Sequence, residues 1–114
     1  MIAEFTPKGW LNERLVATLQ REIQQSLKGD CTALLISGST LRYRGPEGLA
    51  ALVAALESVQ GTHPALPLWL CHLAPTLLEA IQLAAIGERW HIVPDRATAL
   101  AVLTIQDQEM RYAA

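Results

Sequence analysis

Apolar residues along this chain fall into three kinds of run, and each predicts a different element. In the first kind they recur at helical spacing. Leu15, Val16, Leu19, Ile23 and Leu27 repeat with a period near 3.6, while Arg14, Arg21, Glu22, Gln24 and Gln25 fall on the other face. That pattern predicts a half-buried surface helix starting at the N-cap Asn12 and stopping at Gly29. The second kind is short and almost continuously apolar. Cys31 to Ile36 and Leu68 to Cys71 are too short for helices and predict strands covered on both faces. In the third kind, from Leu49 onward, nearly every residue is Ala, Leu or Val. This predicts a helix from Pro46 to about Val59, closed by Gly61 and buried on most of its surface.

Weaker signals fill the gaps. Ile2 to Phe5 reads as a short strand, and Gly9-Trp10-Leu11 as a second extended piece, with Pro7 interrupting the two. Gly61 to Pro67 is a stiff turn. Pro75 starts a third helix to about Ile86, carrying Leu77, Leu78, Ile81 and Ala85 on one face and Gly87 at its end. Trp90 to Val93 is a last short strand. Asp95 caps a final helix with Ala99, Leu100, Val102 and Leu103, which fades into a polar tail over 104–114. Alternating strands and helices with continuously apolar central strands predict an α/β fold with a mostly parallel or mixed sheet.

Composition narrows this picture. A chain of 114 residues builds one domain, 1–114, with residues 1–6 as a short N-terminal strand or arm. With 51% apolar and 18% charged residues, disorder is not expected, and aromatics at 5% leave an aliphatic core. A net charge of −2 gives no electrostatic case for nucleic acid or anionic membrane. Cys31 and Cys71 read as reduced core thiols, with a disulfide as the alternative. Without a basic-then-apolar leader or a spanning apolar run, a soluble cytoplasmic protein is expected.

Candidate chemistry is sparse. His63, His72 and His91 lie in separate connections or strand ends, without metal-ligand spacing, so no metal site is predicted. Ser39 lacks the setting of a nucleophile elbow, and Gly38, Gly45 and Gly48 match no dinucleotide or Walker pattern. Trp10, Trp69 and Trp90 read as core or rim packing. The loop before Pro46 stands out. The N-terminus of the Pro46 helix, with Arg42 and Arg44 close in sequence, offers an anion a site, although Glu47 opposes it.

The run ALLISGSTLRYRGPEGLAALVAAL resembles the central segment of STAS domains, the fold of bacterial anti-sigma factor antagonists. There a buried strand and Ser-Gly lead through a short loop to Asp-Ser-Ser-Gly-Leu at a helix start. PKGWLNERLVATLQREIQQSL is similar to the family's Gly-x-Leu segment and first helix, and LLEAIQLAAIGERWHIVPDRATAL to its late helix, short strand and terminal helix. The resemblance spans roughly residues 7–103. It implies a four- to five-stranded sheet, with about four helices mainly on one side.

One departure carries a functional expectation. With Gly48-Leu49 aligned, Asp-Ser-Ser-Gly becomes Gly45-Pro46-Glu47-Gly48, and Pro46 stands where the family's phosphorylated serine would be. Matching Ser37-Gly38 to the family's Ser-Gly makes this loop about two residues longer. Phosphorylation adds nearly two charges at a helix N-terminus; Pro46 has no hydroxyl to accept them. Ser39 and Thr40 are the candidate substitute phosphosites. The resemblance therefore implies a non-enzymatic module, without metal or cofactor, that binds a protein partner through Arg42, Tyr43, Arg44, Gly45, Pro46, Glu47 and Leu49. In the family that partner is typically an anti-sigma factor or serine kinase of the histidine-kinase ATPase type. A homodimer is left open. The rival reading is a sensor holding a nucleotide or another anion at the Pro46 helix N-terminus.

Overall fold

The computed structural model describes residues 1–83 and 90–113. In chain order the elements are β1 (Ile2–Phe5), β2 (Gly9–Trp10), α1 (Glu13–Leu27), β3 (Ala33–Ser37), β4 (Leu41–Arg42), α2 (Pro46–Thr62), β5 (Leu68–Cys71), α3 (Pro75–Leu83), β6 (His91–Ile92) and α4 (Arg96–Ala113). Among the described residues the main sheet has four strands in the order β1-β3-β5-β6, and β2 pairs with β4 in a small second sheet. All these pairings are parallel. The chain is thus an α/β domain, with four helices among the described residues, as the apolar pattern predicts.

The central strands show why their runs are apolar throughout. Leu34, Ile36, Leu68 and Leu70 join Val16, Leu19 and Ile23 of α1, Leu52, Leu56 and Val59 of α2, and Leu77 and Ile81 of α3. Their alternating neighbours Ala33, Leu35, Trp69 and Cys71 face the other way and meet Ala99 and Leu103 of α4. Successive side chains on a strand point to opposite faces, so a strand between two helix layers needs apolar residues at every position. Three helices cover one face, and α4 covers the other.

The structure differs from the sequence reading at several points. Helix α2 is one-faced: Leu49, Leu52, Ala55, Leu56 and Val59 are buried, whereas Ala50 and Ala54 are exposed. Alanine serves on either side of a helix, because its helix propensity is high and its apolar surface small. The helix also runs through Gly61 to Thr62. There the Thr62 hydroxyl bonds the Val59 carbonyl at 3.1 Å, the His63 N–H bonds the same carbonyl at 2.9 Å, and Pro64 forbids continuation. Helix α4 continues to Ala113 rather than fading after Leu103, since Gln, Glu, Met and Arg are good helix formers whatever their polarity. Strand β4 lies in what reads as a loop. Predicted features at Ala85, Ile86 and Gly87 lie outside the described residues.

Both caps of the outer helices are as expected. Asn12 Oδ1 accepts the Leu15 N–H at 2.9 Å, and Asp95 Oδ1 accepts the Thr98 N–H at 2.8 Å. Cys31 and Cys71 are both free thiols. Among the described residues, no helix is long and apolar enough to cross a membrane.

Candidate functional site

The site is assembled where two helices begin side by side. Gly9 has φ of 112°, a left-handed conformation that suits glycine, and it turns the chain into β2. Strand β2 then pairs with β4, through Gly9 N–H to the Thr40 carbonyl at 3.1 Å and Leu11 N–H to the Arg42 carbonyl at 2.7 Å. Leu11, just after β2, turns inward and is buried, so its neighbour Trp10 turns outward. The same alternation on the other side places Tyr43 partly against the core and leaves Arg42 and Arg44 exposed.

Gly48 fixes this arrangement. A Cβ built there would lie 2.1 Å from the Leu11 carbonyl oxygen and 2.8 Å from its carbon. Only glycine lets the first turn of α2 approach the backbone just before α1 so closely. In consequence the N-termini of α1 and α2 open into one groove of about 770 Å³, walled by Trp10, Asn12, Arg14, Arg44, Pro46 and Glu47 among others.

The groove's main feature is Trp10. It is 44% exposed, while Trp69 and Trp90 are 5% and 3% exposed. The guanidinium carbons of Arg44 and Arg42 lie 4.9 and 5.9 Å from the indole centroid, within cation–π range. Of the core and rim positions expected for the three tryptophans, Trp69 and Trp90 take the core and Trp10 the rim. Extended backbone through Trp10 and Leu11 turns only one of the two side chains inward, and Leu11 lies under Gly48. No hydrogen bond or ion pair of the Arg42 or Arg44 guanidinium is found among the described residues, in contrast to Arg96, whose guanidinium holds Glu4 at 2.5 and 3.0 Å.

Among the predicted contact residues, Arg44, Pro46 and Glu47 are exposed at this groove, Arg42 is exposed beside the Trp10 ring, and Gly45 is the N-cap. Leu49 is only 9% exposed and Tyr43 half-buried, so both anchor the loop to the core instead of presenting it. The candidate phosphosites lie apart. Thr40 spends its hydroxyl on the Pro7 carbonyl at 2.9 Å, and Ser39 shares a hydrogen bond with Ser37 at 3.2 Å. The groove carries Glu13 and Glu47 in the two first turns, and these carboxylates already occupy the positive ends of both helix dipoles.

A second cluster sits at the carboxyl ends of β1, β3 and β5, where Ser37, Ser39, Cys71, His72, Glu4 and Arg96 line a cavity of about 220 Å³. His72 has φ of 53° there, an uncommon conformation for a residue with a side chain. Burial pushes the Cys71 thiol above its ordinary range, the reverse of what a nucleophilic thiolate needs. His91 stacks on Trp69 at 4.4 Å between centroids, and no three potential metal ligands gather among the described residues.

No protein-family model and no curated protein matches the chain.

Proposed function

We propose that the chain is a non-enzymatic protein-interaction module of the anti-sigma factor antagonist type, acting in the bacterial cytoplasm. Its partner is an anti-sigma factor or serine kinase of the histidine-kinase ATPase type. The observation that carries this reading is the exposed Trp10 indole held beside Arg42 and Arg44 at the start of α2. Exposed tryptophan and arginine are the residues that most often dominate protein–protein binding energy. The α/β architecture and the close Gly48–Leu11 contact, which accounts for glycine in the Gly48-Leu49 pair, agree with the STAS resemblance.

In this reading the module is not switched at its helix start. Pro46 has no hydroxyl, and Glu47 supplies one fixed charge in the first turn of α2. The anion-sensor alternative is weaker, because Glu13 and Glu47 line the same groove as carboxylates.

Affinity capture from the source cells followed by mass spectrometry tests the reading, with wild type compared against Trp10→Ala combined with Arg44→Glu. At least one protein should be retained by wild type and by an Arg21→Glu control and be lost from the double variant. Identical capture by all three would refute it.

A further inference from the structure

The charges around Trp10 bear on what kind of partner segment fits the groove. Arg42 and Arg44 are both exposed, both directed to one indole, and without a carboxylate partner among the described residues. A guanidinium stacked on an aromatic face has lost much of its rotamer freedom already, yet its planar N–H fork stays free to take a carboxylate in two parallel hydrogen bonds. Such preorganisation lowers the ordering cost of binding. The exposed part of the indole needs an apolar cover.

Resting on the reading of this surface as a partner site, we infer that its occupant is a short acidic segment of a partner protein. Its carboxylates pair with Arg42 and Arg44, and an apolar side chain next to them lies on Trp10. The rest of the groove selects a short acidic stretch over a polyanion. Glu13 and Glu47 line the end at the helix starts and form no ion pair with either arginine. A nucleic acid backbone would bring evenly spaced phosphates against those carboxylates, on a chain whose net charge is already −2. A protein segment can confine its acids to the Trp10 end and present neutral or basic groups to Glu13 and Glu47.

The experiment is selection of a phage-displayed random dodecapeptide library on the intact protein, with the selected peptides synthesised and titrated by fluorescence anisotropy. Asp and Glu should be enriched next to a Leu, Ile or Phe. Affinity should fall about tenfold or more in Arg42→Gln with Arg44→Gln and in Trp10→Ala, and should weaken in about 0.5 M NaCl, where screening is short-ranged. Selection on Arg42→Glu with Arg44→Glu should yield Lys- and Arg-rich peptides instead. Unchanged denaturation midpoints establish that the variants are folded. Peptides that depend on Arg42, Arg44 and Trp10 but show no acidic excess would overturn the acidic chemistry and leave the surface standing. Peptides indifferent to all three substitutions would overturn the surface reading itself. A short DNA duplex that binds more tightly than the selected peptides, with the same arginine dependence, would overturn the inference in favour of nucleic acid.

Discussion

Gly48 in the first turn of α2 lies against the backbone of Leu11 so closely that a methyl group in place of its hydrogen would stand 2.1 Å from the Leu11 carbonyl oxygen. That contact couples the two helix starts, and through the alternation of Trp10 and Leu11 it sets the indole outward. Gly48→Ala should therefore force α2 away from α1 and destabilise the fold by about 2–3 kcal/mol, the upper part of the overpacking range. Gly61, in the last turn of the same helix, has nothing within 4 Å of an added Cβ. Gly61→Ala should stabilise by about 0.5–1 kcal/mol through helix propensity. Urea denaturation of both variants checks the pair, and similar shifts of one sign would refute the asymmetry.

Adjacent alanines on α2 give a second test. Ala55 is buried and Ala54 exposed, whereas a helix buried on most of its surface would turn both inward. Ala55→Leu should cost about 1–3 kcal/mol by overpacking. Ala54→Leu should stay within about 0.5 kcal/mol of wild type, as surface substitutions do. Equal denaturant midpoints for the two variants would show that α2 is rotated from the orientation described.

Glu4 and Arg96 join edge strand β1 to the first turn of α4, and the Arg96 hydrogen bonds hold the Glu4 carboxyl below its usual 4.5. A depressed carboxylate contributes stability above its unfolded value and loses that contribution as pH falls through its folded value. The melting-temperature gap between wild type and Glu4→Gln should thus be present at neutral pH and close as the pH falls below 4.5. It should be small and shrink with salt, because both side chains are largely solvent-exposed. A gap that widens on acidification would contradict the pairing. Asp95, depressed by the Thr98 N–H and hydroxyl, loses stabilisation in the same window in both proteins and cancels in the comparison.

Pro46 makes a prediction about phosphorylation. With ATP and a serine kinase that accepts proteins of this type, the intact mass of the wild-type chain should not change. Gly45→Asp combined with Pro46→Ser should gain one phosphate and then release its partner, since the new charge sits on the groove rim next to Glu47. A Cβ at position 45 meets nothing within 4 Å, so the variant should fold. Stoichiometric phosphate on wild type, at Ser39 or Thr40, would replace the unswitched account with a relocated switch.

What could be read from the residues was the part governed by long patterns. The α1 period, the doubly apolar β3 and β5, and the Asn12 and Asp95 caps each involve either many residues or a specific local bond. The site was harder. Arg42, Arg44, Pro46 and Glu47 stood out because they interrupt apolar sequence, whereas Trp10 did not, since its partner strand β4 is two residues long and leaves no periodicity. Leu49 and Tyr43 were expected at the surface from proximity in sequence, yet the first turn of α2 and the alternation after β4 turn them inward. Gly48 carries no local signal of its close approach to Leu11, because that neighbour lies far away in sequence.

The most direct test of the account is hydrogen–deuterium exchange on the captured complex, compared with the free chain. Partner binding through the Trp10 groove predicts slowed exchange in the segments containing Trp10, Arg42, Arg44 and Glu47, with α4 unchanged. Protection confined to α4 and β6, with the Trp10 groove exchanging as in the free chain, would contradict it.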